Sequence, residues 1–154
     1  MENISSTTDQ KPRFDLTASQ TNVSEVMDRF HSSLANKKVT EMVGLLAEDG
    51  HFSATDPTEL FDKEQFSDYM TQVLGDSTLN FANHKVDVRE IKMDESATSA
   101  TVIEQFKMDV FTPNIPWRLV SHLTKDGDSW KINVLSFNLT PTNAQLEAIV
   151  NAVN

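Results

Sequence analysis

The sequence predicts an α+β domain in which a strongly curved antiparallel β-sheet, four long strands plus one short, wraps around N-terminal helices. Three observations predict it. Apolar residues recur at helical spacing through the first half of the chain, the period changes to two after Gly75, and the period-two stretches are divided by connections too short for anything but antiparallel neighbours. A curled sheet closed by helices on its concave side leaves an apolar pocket at its open end. At 154 residues the chain suits one domain with a full core.

Residues 1–22 are polar, rich in Ser and Thr and without periodicity, so they read as a flexible arm before a single domain over 23–154. From Ser24, Val26, Met27, Phe30 and Leu34 form a first helical stripe, with His31 on its flank. After the polar break Asn36-Lys37-Lys38, the cluster Val39, Met42, Val43, Leu45 and Leu46 forms a second. His51 to Thr55 alternates as a short strand does, and Asp56-Pro57 turns the chain. Asp62-Lys63-Glu64-Gln65 then has the form of a capping box opening a third helix over about 63–74, whose stripe is Phe66, Tyr69, Met70 and Val73. Leu79–Ile91, Ala97–Phe111, Pro116–Lys125 and Ser129–Thr140 are the four long strands. Thr142-Asn143-Ala144-Gln145 is another capping box, leading into an amphipathic helix over about 143–153.

Composition narrows the function classes. With 13 Lys and Arg against 23 Asp and Glu, the formal net charge is −10, and Lys37-Lys38 is the only adjacent basic pair. Such a surface repels phosphate backbones and anionic lipid, so neither nucleic acid nor membrane is expected as a partner. With no cysteine there is no thiolate nucleophile and no sulfur-ligated metal, and the four histidines lack the spacing of a zinc site. Only four glycines are present, and none forms a phosphate loop or dinucleotide fingerprint. No cofactor is therefore expected. The first 22 residues show no signal-peptide pattern, which makes cytoplasmic the default compartment.

The order helix, helix, short strand, turn, helix, four long strands resembles the NTF2-like (cystatin-like) superfamily, and within it the SnoaL-like and ketosteroid-isomerase-like branch. The residues that carry the resemblance are Leu45-Leu46-Ala47-Glu48-Asp49, Phe52 through Glu59, Trp117-Arg118 and Trp130-Lys131-Ile132, over roughly 24–140. The resemblance implies a cone with a pocket and a homodimer formed through the outer sheet face. It also implies a choice of functions, because the superfamily holds both enzymes and binding proteins. The last strand reads Ser136-Phe137-Asn138 where the branch often carries His-x-Ser, and Ser136 cannot replace an acid–base histidine near neutral pH.

Glu104 and His122 are the candidate catalytic residues. Glu104 shares a strand face with Ala100, Val102, Phe106, Met108 and Val110. An inward face would desolvate the carboxylate and suit it to acid–base work; the reading preferred from sequence is that this face is the outer, dimer-forming one. His122 shares a mixed face with Arg118, Val120 and Thr124. Asp56, Tyr69, Phe106, Trp117, Arg118 and Asn138 are the candidate ligand-pocket residues, and Trp130 is assigned to packing. Two functions stay open: a non-catalytic domain that binds a small hydrophobic ligand, and an isomerase, dehydratase or cyclase acting by general acid–base chemistry. Binding is preferred because no acid–base pair can be located in the sequence.

Overall fold

Three capping boxes start three of the helices. In the computed structural model, which describes residues 17–154, helix α1 spans Ala18–Ala35 and α2 Val39–Gly44, and α3 spans Lys63–Gly75 and α4 Asn143–Val153. The side chains of Thr17, Asp62 and Thr142 accept the backbone N–H three residues on, and Gln20, Gln65 and Gln145 answer each from the other side. Each box satisfies two amides that helix geometry leaves unpaired. The first of them moves the boundary expected at residue 22, because residues 18–22 are already helical. Residues 1–16 of the expected arm lie outside the described residues.

Six strands follow: β1 Leu46–Ser53, β2 Leu60–Phe61, β3 Lys85–Met93, β4 Ser99–Lys107, β5 Trp117–Asp126 and β6 Ser129–Leu139. They form one sheet in the order β2-β1-β6-β5-β4-β3. The four long strands pair antiparallel as expected, whereas β1 pairs parallel with β6, so the sheet is mixed. The second apolar cluster also divides differently from the expectation: α2 stops at Gly44, and Leu46 opens β1 with its backbone beside Ile132. Gly127, at φ 62°, makes the tight β5–β6 turn, a backbone conformation that costs glycine nothing.

Two of the expected long strands are shorter than their alternation suggests. Residues 79–84 and 108–116 are loops, and their apolar residues Leu79, Phe81, Met108 and Val110 bend onto the core and do not extend the ladder. A bulge lies between Val86 and Val88, so Val86 pairs with Phe106 while Arg89 pairs with Glu104, and Val88 turns outward. The inner face carries Val102, Glu104, Phe106, Leu119, Leu123, Ile132 and Leu135, covered by Val23, Met27, Phe30 and Leu34 of α1 and by Phe66, Met70 and Leu74 of α3. Each fully buried phenylalanine such as Phe30 removes enough apolar surface from water to contribute roughly 2–3 kcal/mol. No helix among the described residues is long and apolar enough to cross a membrane.

Candidate functional site

The inner face of the sheet carries two neighbouring regions of opposite character. The first is a chain of polar side chains beneath α1. Glu104 is fully buried on β4, and both its oxygens are engaged: Arg89 Nε donates to Oε2 at 2.7 Å and His31 Nε2 donates to Oε1 at 2.9 Å. Arg89 is anchored in turn on α1, where its Nη1 donates to Ser24 Oγ and Asp28 Oδ1, each at 2.7 Å. The other ring nitrogen of His31, Nδ1, lies 2.8 Å from His84 Nε2. His31 therefore bridges Glu104 and His84 through its two ring nitrogens.

Burial alone would raise the Glu104 pKa; the His31 N–H and the Arg89 guanidinium outweigh it and hold the carboxyl below its ordinary value. Glu104 is therefore an ionised, fully hydrogen-bonded anchor. Its face is the inner one, which corrects the outward placement preferred from sequence, and His31 is a buried member of this chain and not a helix-flank residue. Burial and the adjacent His31 push His84 down to about 4, leaving it neutral around pH 7.

The second region is a cavity of about 110 Å³ at the end of the sheet, walled by Tyr69, Met70, Met108, Val110, Phe111, Trp117 and Phe137 among others. Its lining is almost wholly apolar. Tyr69 is its one titratable wall residue, and burial together with the Glu59 carboxylate pushes the phenol up to about 12. Phe111 stands at the mouth, 68% exposed, with φ 69°, a left-handed conformation that costs a bulky residue strain, and its ring packs 5.8 Å from Trp117. Phe106 joins the two regions: its ring stacks on His84 at 5.2 Å and packs against Trp117 at 6.2 Å.

The structure thus brings Tyr69 and Trp117 to the cavity wall and buries Phe106 behind it. It does not bring the remaining candidates there. Arg118 and Asn138 are exposed cross-strand neighbours on the outer face, where Arg118 Nη2 donates to Gln105. His122, on that same face, is bonded to Asn133 at 2.7 Å. Asp56 stays in its turn, exposed, with its carboxylate accepting from the Thr58 hydroxyl and amide, which lower its pKa. The sequence reading missed Arg89 and the pairing of His31, His84 and Glu104. A capping-box search would have extended α1, but no local signal ties His31 to a glutamate 73 residues away.

A SnoaL-like domain matches residues 23–137, three quarters of the chain. The chain belongs to the SnoaL-like domain family. Solved structures agree on the fold. An NTF2-like protein of unknown function from Pseudomonas putida aligns at 10% identity over 84% of this chain and 92% of its own, with a TM-score of 0.72. A domain of unknown function with a cystatin-like fold from Nostoc punctiforme aligns at 11% identity over 88% and 86%, with a TM-score of 0.71. A putative calcium/calmodulin dependent protein kinase II association domain from Xanthomonas campestris aligns at 19% over 79% and 88%, with a TM-score of 0.64. At these identities the likeness shows the NTF2-like fold alone. No curated protein matches the sequence significantly.

Proposed function

We propose that this SnoaL-like domain binds a small apolar molecule in the cavity beside Tyr69 and Trp117 and performs no acid–base chemistry on it. The separation of the two regions carries this reading. General acid–base catalysis needs titratable groups within hydrogen-bond reach of the reacting atoms. Here the titratable chain lies outside the cavity wall, on the far side of Phe106 from Trp117, with both Glu104 oxygens occupied. The phenol of Tyr69 is too weakly acidic to substitute. The strained, exposed Phe111 at the mouth supports the same reading, because backbone strain of this kind gathers at ligand clamps.

Size sets the ligand. An apolar cavity of ~150 Å³ holds benzene, so about 110 Å³ suits a molecule of that size or slightly smaller. Titrating benzene while following the methionine methyl resonances tests the reading. Met70 and Met108 line the cavity and should shift saturably, while Met27 and Met42, buried elsewhere in the core, stay still. Unmoved Met70 and Met108 methyls at saturating benzene would remove the proposal.

The homodimer implied by the resemblance is proposed on a different surface. Val88, Ile103 and Val134 stand exposed on the outer sheet face, an apolar set that a second copy would cover. A monomeric sedimentation coefficient at micromolar concentration would contradict it.

A further inference from the structure

Helix α4 has no buried residue, yet Leu146, Ile149, Val150 and Val153 stand on it at i, i+3, i+4 and i+7, and all four are exposed. Its 11 residues are too few to hold a helix in water by their own hydrogen bonds, and Glu147 is its one charged side chain. The stripe therefore calls for a cover, which the described residues of its own chain do not supply. A groove of about 460 Å³ lies at the β2 edge of the sheet, lined by residues of β1, β2, β6 and the start of α3. Leu60 and Val134 on its wall are exposed, Leu60 at 75%, and His51 and Gln65 give it polar margins. An amphipathic helix enters such a groove through this anchor spacing.

We infer that α4 of one copy lies in the β2-edge groove of a second copy, and that a two-fold axis repeats the contact in the other direction. Val134 joins the groove to the outer sheet face, being both a groove wall residue and a member of the exposed set Val88, Ile103 and Val134. The inference rests on the dimer reading above and adds the exchanged helix to it. The connection to α4 favours exchange over folding back. Thr140 is fastened to the Pro116 carbonyl by its N–H at 2.8 Å and its hydroxyl at 2.9 Å, Pro141 has a fixed φ, and Thr142 is already the cap of α4, so few torsions remain to reverse the chain. Charge points the same way. Two copies of net charge −10 repel, and a helix with one charged side chain is a segment that can still approach; the His51 ring and the Gln65 amide offer donors to Glu147.

The chain has no cysteine, so introduced thiols report the contact without background. Ile149→Cys and Leu60→Cys are made in separate full-length chains, one of them isotopically labelled, then mixed and treated with a short bismaleimide. Both positions are exposed, so neither change should disturb the fold. The expected product is a species of twice the chain mass containing one labelled and one unlabelled copy, in large excess over that from Ile149→Cys mixed with Asp128→Cys on the exposed β5–β6 turn. Preferential linkage of two Ile149→Cys chains would mean that the helices pair with each other, and would overturn the inference. So would a chain bearing both cysteines that closes on itself as a monomer in preference to linking copies, since the helix would then cover its own groove. If the unaltered chain sediments as a dimer but the mixture links no better than the Asp128→Cys control, the exchanged helix is overturned while the sheet-face dimer stands. If the unaltered chain sediments as a monomer, both fall together.

Discussion

The two regions beneath the sheet differ in charge and in room. Around Glu104 every charge has a partner: the carboxylate holds His31 and Arg89, and Arg89 reaches back to α1. Around Trp117 there is space and almost no polarity. Reactive side chains are thus gathered away from the cavity, and the room for a ligand lies where none of them reaches. A cluster of ionisable residues in a core can be a structural tie, and the open apolar volume is here the better pointer to a site.

Breaking the polar region gives the largest expected effect. Glu104→Ala leaves the Arg89 guanidinium buried without its main partner and His31 Nε2 without an acceptor, which should cost about 3–5 kcal/mol in urea unfolding. If the regions are independent, the variant that remains folded still shows the benzene shifts at Met70 and Met108. Their loss in a folded Glu104→Ala would make the polar chain and the cavity one site.

Acid titration sharpens the same contrast. Burial and His31 depress His84 from 6.5 to about 4, so between those values the unfolded chain binds a proton that the folded chain refuses. Stability is therefore fully present above about pH 6.5 and falls as the pH drops towards 4. Glu104 acts lower, its contribution being lost as the pH falls through its depressed pKa. Urea midpoints between about pH 6.5 and 5, a window in which the carboxylates stay ionised, should fall for the unaltered chain and flatten in His84→Gln. An equal slope in both would assign the acid sensitivity to another group.

Much of this arrangement was legible in the sequence, and the failures have physical causes. Alternation grouped Glu104 correctly with Ala100, Val102 and Phe106, but alternation cannot say which face is inward; that depends on α1, packed from far away in the chain. Arg89 was hidden by the bulge at Asp87, which resets the period so that Val86 and Arg89 both point inward. The start of α1 was missed although Thr17 and Gln20 repeat the capping signal recognised at Asp62 and Thr142, because the first helical turns are exposed and carry no apolar stripe. The cavity depends on two loops, at 79–84 and 108–116, whose apolar residues mimic strand continuation.

The smallest expected effect comes from Tyr69, the one titratable residue on the cavity wall. Its ring packs on Phe61 at 4.8 Å and is kept in Tyr69→Phe, while burial and the nearby Glu59 carboxylate raise the pKa of its hydroxyl. Removing a half-buried hydroxyl while keeping the ring should cost under about 1 kcal/mol in stability. Because benzene makes no hydrogen bond of ordinary strength, Tyr69→Phe should also leave its affinity where it was. A benzene affinity that collapses in a folded Tyr69→Phe would mean that the phenol shapes the cavity through its hydroxyl, and the wall would then depend on polarity that the apolar reading leaves out.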